Sequence, residues 1–436
     1  MKFALLTPYT GGNLGDAAIQ EAVISNIRRR YSHSQICLIT LSPGTTSQLH
    51  GVPAYPIGVT TFGPGFELRN DKVPSNETVG SLFAHIKTTV KRYPVLYATL
   101  LRIHQIYQIY QKVMVLIGFR ELLHIGTAFR VMRGVSMLIV SGGGQLDDYW
   151  GGAFRQPYAL LKWGLISKVL GTKFVVMSVG TCSLSKLSMF FVKRALGLAD
   201  YRSYRDQTSK DLLASIKFTR DDPVYPDLAF SYVRNLYQRS APGNNVGRVV
   251  GVSPIAYLSR YGWPETNLAV YDNYVKSLVG FVSELIKHDY TVVLFSTDPV
   301  DREVINEIVN YVSEDTTLRA YGRLLQPLTF TLEDLTEQLI EFDYVVASRL
   351  HGILLSHVFG KPVLAISYDR KVDTHMAEMR MTDYCLDFCQ VRTSSIVDRF
   401  TSMASNAEVM ASNLQEASIR YGAALQNQYD HVLLNQ

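Results

Sequence analysis

The stretch KFALLTPYTGGNLGDAAIQEAVISNIRRRY, residues 2–31, decides the fold class of this chain. It begins with an apolar run, Lys2 to Thr7, continues through the glycine-rich turn Gly11 to Asp16, and ends in a helical stretch, Ala17 to Tyr31. A second apolar run, Ile36 to Leu41, follows. A strand, a glycine turn, a helix and a strand in this order predict a βαβ unit, which places both strands in a parallel sheet.

The same alternation continues along the chain. In the first half, further strands are predicted at 137–140 and 174–180. After a cluster of turn-forming residues at 239–247, a second series begins, with strands predicted at 249–252, 291–295, 344–347 and 362–366. We therefore expect an α/β fold of two doubly wound, Rossmann-like domains that face one another across a cleft.

The expected domain boundaries follow from this pattern. Residues 1–238 form an N-terminal α/β domain with a basic, aromatic-rich insertion at about 62–132, residues 248–393 form a C-terminal α/β domain, and residues 394–436 form a helical tail. In doubly wound folds, ligands bind beyond the carboxyl ends of the strands. The turns that follow the predicted strands are therefore the first places to look for a site.

The composition excludes several classes of protein. The 436 residues are 47% hydrophobic and 19% charged, which is too apolar for a disordered chain. The net charge of +5 falls short of the concentrated basicity of a dedicated nucleic-acid binder, so no nucleic-acid partner is expected. Four cysteines form neither a disulfide framework nor a zinc set, and the first apolar run is too short for a secretory signal. These features predict a cytoplasmic protein with reduced thiols.

The positive charge is concentrated between Ile86 and Arg130. This segment carries seven Lys and Arg residues against the single acidic residue Glu121, a net charge of +6. Its apolar runs are interrupted, so no stretch of about 20 apolar residues spans a bilayer. Two interpretations are open: a helical insertion on the first domain, or a basic amphipathic surface in peripheral contact with anionic lipid at the inner face of the plasma membrane.

The first glycine turn is a candidate anion site. Gly12, Asn13 and Gly15 lie between a strand and a helix, where the backbone can approach a ligand and the helix N-terminus offers N–H groups. The turn matches neither a Walker A loop nor a dinucleotide-binding fingerprint. The alternative is that Asp16 merely caps the helix that begins at Ala17.

A second glycine turn, Ser141 to Gly144, follows a predicted strand. Three glycines there have an entropic cost that packing alone seldom explains, so Gly143 and Gly144 are expected to form the backbone of a site. Asp147 and Asp148 follow directly. They are interpreted either as a proton donor and acceptor or as solvated loop carboxylates.

Three basic or titratable candidates also follow predicted strands. Arg205 offers a planar guanidinium suited to phosphate or carboxylate, with an ordinary ion pair to Asp206 or Asp211 as the alternative. The run Ser348-Arg349-Leu350-His351-Gly352 predicts an anion cradle that contains a titratable group. Lys371 follows the next strand and adds positive charge on the same side.

Together, these residues resemble the polysaccharide pyruvyl transferase family, whose members are similar to two-domain enzymes of the glycosyltransferase-B architecture. The insertion and the C-terminal tail lie outside the resemblance. The motifs that carry it run in order through most of the chain: Gly12, Asn13, Gly15 and Asp16; Gly142 to Gly144; Arg205, Asp206 and Ser209; Pro226 and Asp227; Ser348 to Gly352; Gly360 to Pro362; Tyr368 and Lys371.

The resemblance implies that the pyruvyl group of phosphoenolpyruvate is transferred to two hydroxyls of a sugar, which forms a cyclic ketal and releases phosphate. The partners would be phosphoenolpyruvate and a glycan or lipid-linked saccharide acceptor. By resemblance, Arg205 and Arg349 bind the anionic groups of the donor, while His351 and the Leu350 backbone contact its phosphate. Lys371 adds a further cation. The donor needs several cations but no metal and no cofactor.

The same chemistry requires an acid for the methylene carbon of phosphoenolpyruvate and a base for the attacking hydroxyl. His351 is the predicted acid, because its unperturbed pKa lies near neutrality. Asp16, from the first turn of the opposing domain, is the predicted base. Together with Arg349, these residues form the predicted catalytic set.

Two rival functions are open from the sequence. A glycosyltransferase that uses a nucleotide sugar would share the architecture, since glycine turns and basic residues equally suit a diphosphate. A non-catalytic, membrane-bound scaffold would account for the basic segment. The scaffold would bind liposomes but no donor, and the presence of Arg349, His351 and Asp16 argues against it.

Overall fold

The computed structural model of the chain describes residues 1–9, 11–59, 119–149, 151–232, 248–261, 263 and 265–434. The chain divides into two compact units, one formed by residues 1–57 and 134–436 and the other by residues 58–133. Most of the basic segment 86–130 lies outside the described residues, so both interpretations of it stay predictions. Within the described residues, no helix is both long and apolar enough to cross a membrane.

The larger unit contains two parallel six-stranded sheets. The first has the order β3-β2-β1-β4-β5-β6 and the second the order β12-β11-β10-β7-β8-β9, so both repeat the 3-2-1-4-5-6 pattern of a Rossmann fold. The predicted α/β fold with two doubly wound domains is confirmed. The strands are β1 Lys2–Leu6, β2 Gln35–Thr40, β3 Ala54–Pro56, β4 Met137–Gly143, β5 Lys173–Val179, β6 Tyr201–Tyr204, β7 Val249–Ser253, β8 Thr291–Leu294, β9 Leu324–Leu325, β10 Tyr344–Ala347, β11 Val363–Ser367 and β12 Cys385–Asp387.

Helices connect the strands, as parallel pairing requires. They are α1 Leu14–Arg30, α2 Pro43–His50, α3 Phe119–Met132, α4 Gln156–Val169, α5 Lys186–Leu198, α6 Gln207–Ser215, α7 Leu268–Lys287, α8 Arg302–Glu314, α9 Thr316–Ala320, α10 Leu332–Glu341, α11 Leu350–Val358, α12 Arg370–Glu378, α13 Thr393–Ser405 and α14 Ala407–Leu434. Of these, α3 belongs to the smaller unit. Short 3₁₀ helices lie at Leu228–Ser231, Pro299–Asp301 and Thr382–Tyr384.

The strands are short apolar runs because both faces of a parallel sheet are covered by helices. All seven residues of β4, for example, are buried. The C-terminal helix α14 packs against the first domain, where the Tyr31 hydroxyl donates a hydrogen bond to the Leu433 carbonyl over 2.6 Å and Arg30 pairs with Asp430 at 2.6 Å. One continuous cluster of buried apolar side chains includes residues of both sheets and of α14.

Candidate active site

Helix α1 begins three residues earlier than the sequence predicts. Asn13 is its N-cap, and the Asn13 Oδ1 atom accepts hydrogen bonds from the backbone N–H groups of Gly15 and Asp16 at 3.0 and 3.1 Å. The alternative in which Asp16 caps the helix is therefore wrong. The Asp16 carboxylate lies over the second glycine turn, because a Cβ atom built on Gly143 would be 3.6 Å from its Oδ1 atom.

The two domains meet at the N-terminus of α1. The Leu14 N–H donates to the Thr297 carbonyl of the second domain at 2.8 Å. A Cβ atom on Gly12 would lie 2.6 Å from Pro299, and one on Gly15 would overlap the His351 ring. Gly12 and Gly15 thus permit a close approach of the two domains. The assignment of these glycines to substrate binding stays a prediction.

The first N–H groups of α1 are all occupied by the protein itself. Leu14 bonds to Thr297, Gly15 and Asp16 bond to the Asn13 side chain, and the Ala17 N–H donates to the Asn13 carbonyl at 3.1 Å. The open anion site that the sequence suggested at this helix terminus is therefore filled in this structure.

The second glycine turn has left-handed backbone, with φ of +61° at Gly142 and +68° at Gly143, which favours glycine at both positions. The two acids that follow support neighbouring loops. Asp147 accepts hydrogen bonds from the Thr181 hydroxyl and the Cys182 N–H, and Asp148 accepts from Ser185 and Ser188 at the start of α5. Burial raises the pKa of Asp147, whereas the serine hydrogen bonds outweigh burial and lower the pKa of Asp148. The structure does not support these two residues as a catalytic pair.

Arg205 lies at the end of β6, and only 11% of its side chain is exposed. Its Nε atom donates to Asp206 at 3.2 Å, and its Nη1 atom lies 3.6 Å from the Oδ2 atom of Asp227. A Cβ atom on Gly180 would lie 2.5 Å from its Nη2 atom, so the guanidinium packs directly on that glycine. The predicted pairing with Asp206 is present, and Asp227 provides a second carboxylate.

A cavity of about 280 Å³ lies where Arg205 of the first domain approaches α11 and α12 of the second. Two cations, Arg205 and Lys371, contribute to its wall beside the buried Leu350. The other residues that line it are Asp206, Val224, Tyr225, Pro226, Asp227, Phe230, Leu354, Thr374, His375, Glu378 and Tyr421. We call this space the donor cavity. It brings together Arg205, Leu350 and Lys371 from positions far apart in the sequence.

Lys371 is held at the start of α12. Its Nζ atom lies 3.5 Å from Asp369 Oδ2 and 5.3 Å from the centre of the Tyr368 ring. Although burial acts to lower the pKa of this amine, the neighbouring Tyr368 and Asp369 raise it overall. Lys371 is therefore a charged group at neutral pH.

Helix α11 differs from α1 in that no side chain caps its N-terminus. The backbone N–H groups of Leu350, His351 and Gly352 make no hydrogen bond to any residue that the structure describes. An uncapped helix N-terminus concentrates N–H donors and positive dipole, which is a favourable environment for phosphate. Because Leu350 also lines the donor cavity, these donors lie beside it.

Arg349 is engaged in a buried ion pair. Its Nε and Nη2 atoms both donate to Asp301, which is fully buried, and its Nη1 atom lies 3.5 Å from Asp298. Burial alone would lower the pKa of Arg349, but the two aspartates raise it. Arg349 does not belong to the wall of the donor cavity. The assignment of this guanidinium to the anionic groups of the donor stays a prediction, and in this structure its hydrogen-bonding atoms are directed to Asp301 and Asp298.

His351 and Asp16 have pKa values shifted in opposite directions. Burial, reinforced by Arg205, Lys371 and Arg349, lowers the pKa of His351 to about 4, although Asp227 opposes the shift. Its Nε2 atom is buried and has no hydrogen-bond partner among the described residues. Burial, together with Asp227 and Asp298, raises the pKa of Asp16 to about 7 against the effect of the nearby cations. At neutral pH the His351 imidazole is uncharged, and the Asp16 carboxyl group is divided between its protonated and ionised forms.

Three acidic residues and one histidine were assigned no role from the sequence. Asp298 and Asp301 follow the end of β8, at the carboxyl edge of the sheet. This position alone would have identified them as candidate site residues. Asp227 belongs to the Pro-Asp motif; its Oδ1 atom accepts from the Ala229 N–H, and its buried Oδ2 atom has no hydrogen-bond partner among the described residues. His375 lies four residues after Lys371, on the same face of α12, and lines the donor cavity.

No group of three or more His, Cys, Asp or Glu side chains could hold a metal ion within the part of the chain that the structure describes. The donor cavity instead has two cations and three acids, Asp206, Asp227 and Glu378, in its wall beside the N–H donors of α11. Asp16 and His351 do not line it, but both interact electrostatically with Asp227, which does. Such a set can bind an organic phosphate and move a proton next to it.

Solved structures share this fold at low sequence identity. HepE from Anabaena in complex with UDP-glucose has a TM-score of 0.56 at 12% identity and covers 100% of both chains. The S. aureus MnaA–UDP structure has a TM-score of 0.54 at 12% identity over 99% of this chain and 95% of that chain. A UDP-GlcNAc 2-epimerase from Neisseria meningitidis bound to UDP-GlcNAc has a TM-score of 0.52 at 12% identity over 100% of both chains. At these identities the similarity establishes the fold alone, and it confirms the glycosyltransferase-B-like architecture.

The search for a sequence relative gives a more specific result. No curated protein matches the chain. However, a family model described as polysaccharide pyruvyl transferase matches residues 13–370. This match begins at the cap of α1, ends at the residue before Lys371, and contains the uncapped N-terminus of α11. The chain therefore belongs to the polysaccharide pyruvyl transferase family.

Proposed function

We propose that this protein transfers the pyruvyl group of phosphoenolpyruvate to two hydroxyls of a saccharide acceptor, which forms a cyclic ketal and releases phosphate. The family supports pyruvyl transfer to a polysaccharide. The observation that carries the choice of donor is the uncapped N-terminus of α11 beside Arg205 and Lys371. Phosphoenolpyruvate has a phosphate and a carboxylate, and these groups need separate cationic or N–H-rich positions. No metal or cofactor is needed in this proposal.

The phosphate is assigned to the start of α11. The N–H groups of Leu350, His351 and Gly352 converge there, and an anion gains both hydrogen bonds and the favourable helix dipole. The carboxylate is assigned to Arg205 and Lys371, whose charges come from different domains. Both cations line the same cavity, so a donor bound there would contact the two domains at once.

Arg349 acts as a positioning residue in this scheme. Arg349 is the residue that immediately precedes α11, and its guanidinium binds Asp301. This ion pair therefore fixes the direction of the helix N-terminus. Breaking the pair would misorient the phosphate donors. The substrate-binding role that the family resemblance implied for Arg349 is replaced here by an indirect one.

The reaction requires two proton transfers. The two acceptor hydroxyls form two C–O bonds to the central carbon of phosphoenolpyruvate, and the C–O bond to phosphate breaks. One hydroxyl proton ends on the former methylene carbon, which becomes a methyl group, and the other leaves with phosphate. Asp16, with a pKa near 7, suits the donation to carbon, whereas His351, with a pKa near 4, has no proton to donate at neutral pH and is only a weak base there. These pKa shifts favour Asp16 rather than His351 as the acid, the opposite of the assignment predicted from the sequence.

The test measures phosphate release from phosphoenolpyruvate in the presence of galactose-, mannose- and glucosamine-terminated acceptors, including lipid-linked ones. The acceptor should gain the mass of one pyruvic acid minus one water. Arg205→Gln should abolish release, whereas Arg248→Gln, which removes a charge that packs on Tyr290 in the second domain, should not. Consumption of a nucleotide sugar without use of phosphoenolpyruvate would instead identify a glycosyltransferase.

A further inference from the structure

A second cavity, of about 440 Å³, lies in the C-terminal domain at the carboxyl ends of β7, β11 and β12. Its volume falls within the range of about 300 to 1,000 Å³ typical of small-molecule sites. Residues from the segments that follow these strands line it, among them Tyr257, Tyr368, Asp369, Asp373 and Asp387. Tyr368 is the member of this lining that belongs to a sequence motif, and the proposed donor chemistry assigns no role to the space. We call it the aromatic cavity.

Aromatic rings cluster at this cavity. Tyr257 and Tyr368 lie 5.2 Å apart between ring centres, and Trp263 packs edge-on against them at 5.1 and 5.7 Å. All three side chains are partly exposed. Tyr149, which is 42% exposed, lies in the loop after β4 in the first domain. The centre of its ring is 6.3 Å from that of Trp263. A partly exposed cluster of rings provides a flat apolar surface with polar edges.

The polar groups of the aromatic cavity are mainly hydrogen-bond acceptors. Asp373 Oδ1 accepts from the Cys385 thiol, and Asp387 Oδ1 accepts from the Cys389 N–H. The second carboxylate oxygen of each residue accepts no hydrogen bond from the residues that the structure describes. A ligand with several hydroxyl groups would supply the missing donors.

The charge of the aromatic cavity argues against an anionic ligand. Its lining contains three carboxylates, Asp369, Asp373 and Asp387, against one cation, Arg370. The donor cavity also has three acids, Asp206, Asp227 and Glu378, but Arg205, Lys371 and the adjacent N–H groups of α11 offset them. In the aromatic cavity one exposed arginine faces three carboxylates, so a phosphate, a diphosphate or a second molecule of phosphoenolpyruvate would be disfavoured. The combination of aromatic faces, free acceptors and negative charge instead fits a neutral, polyhydroxylated ring, whose C–H face can stack while its hydroxyls donate.

The aromatic cavity also adjoins the donor cavity. The turn from Tyr368 to Lys371 contributes to both, since Tyr368 and Asp369 line the former and Lys371 lines the latter. A ring stacked on Tyr368 would therefore lie close to a donor held by Lys371. A transferase needs its two substrates side by side in this way.

We propose that the aromatic cavity binds the saccharide acceptor, with a sugar ring packed against Tyr257 and Tyr368 and its hydroxyls bonded to Asp373 and Asp387. This inference rests on the proposed function, because it assigns the second substrate of the same reaction.

The experiment compares Tyr257→Leu and Asp387→Asn, both at residues that line the cavity, with the wild type and with the control Asp398→Asn, which changes an exposed carboxylate on α13. Titration calorimetry measures the binding of free galactose-, mannose- and glucosamine-terminated oligosaccharides and, separately, of phosphoenolpyruvate. Each cavity variant should weaken the binding of the oligosaccharide recognised by the wild type by about tenfold or more, as expected for the loss of a stacking surface or of a charged hydrogen bond. Phosphoenolpyruvate binding should stay unchanged.

The outcomes separate this inference from the proposed function. Unchanged oligosaccharide affinity in both variants, or no binding of any oligosaccharide to the wild type, would overturn the acceptor site. If the wild type binds an oligosaccharide through the aromatic cavity but releases no phosphate from phosphoenolpyruvate, the acceptor site stands and the proposed donor is wrong. Weaker binding of phosphoenolpyruvate in the same variants would show that the two cavities are a single site, and would also overturn the inference.

Discussion

His351 of the second domain packs against Gly15 of the first so closely that a Cβ atom at position 15 would overlap the imidazole ring. This contact joins the start of α1 to the start of α11, and it leaves the Nε2 atom of His351 buried without a hydrogen-bond partner among the described residues. The geometry of the candidate site thus depends on how closely the two domains approach one another.

Replacing Gly15 with alanine tests this dependence. The added methyl group must push His351 away or separate the domains, so we expect phosphate release to fall by about a hundredfold, as for other displacements of about 1 Å in an active site. Gly44→Ala is the matched control, because a Cβ atom there meets nothing within 4 Å. Steady-state kinetics check the result, and equal activity in the two variants would contradict it.

Asp227→Asn tests the electrostatic coupling in the cleft. Asp227 contributes to the raised pKa of Asp16, so its neutralisation should lower that pKa from about 7. If protonated Asp16 is the acid, the activity of the wild type falls as the pH rises through about 7. In the variant this fall should occur about one pH unit lower. The measurement is the pH profile of kcat/KM.

The control for this profile is Asp221→Asn, which changes a fully exposed carboxylate that pairs with Lys210 at 3.8 Å. Its profile should match that of the wild type. A shift of the Asp227→Asn profile to higher pH would contradict Asp16 as the proton donor, since removal of a neighbouring negative charge can only lower the pKa of that carboxyl group.

Asp16→Asn should stabilise the protein while it abolishes activity. Because the pKa of Asp16 is raised from 3.8 in the folded state, ionisation costs folding free energy, and this cost grows as the pH rises from about 4 to about 7. Above pH 7, removal of the carboxylate should raise the free energy of unfolding by up to about 4 kcal/mol. Below pH 4 the two proteins should be equally stable. Urea denaturation at pH 4 and pH 8 checks the sign, and a less stable variant at pH 8 would contradict it.

The fold could be predicted from the sequence because a buried parallel strand produces a short apolar run, and a βαβ unit separates such runs by a helix. The run before Gly142, for instance, is β4 itself. The start of α1 was misplaced because apolar periodicity begins near Ala17, whereas the helix begins where the Asn13 side chain accepts the first N–H groups. Capping depends on one rotamer, which periodicity does not record.

The sequence predicts that the candidate site residues lie at the carboxyl edge of a sheet. It does not predict which side chains they contact. Arg205, Arg349 and Lys371 each follow a strand, as the sequence indicates. Arg349 and Asp301 are 48 positions apart in the sequence. Their ion pair forms only because the fold brings the segment after β8 next to the start of α11. Likewise, the depressed pKa of His351 arises from burial at a contact between domains. No local pattern contains that information.

Arg349→Met tests whether this arginine acts through Asp301. The change leaves a buried carboxylate without its cation, so we expect a loss of about 3–5 kcal/mol in the free energy of unfolding at pH 8. Burial raises the pKa of Asp301 to about 6 even with Arg349 present. Because Arg349 lowers this pKa, the loss of the arginine should raise it further. At pH 5 Asp301 is then protonated in the variant, so the destabilisation should be smaller.

Adding Asp301→Asn should recover part of the stability at pH 8, because the asparagine oxygen can still accept from the Ala256 N–H. Additive losses in the double variant would show that the two side chains do not depend on each other, and would return Arg349 to a direct role in donor binding.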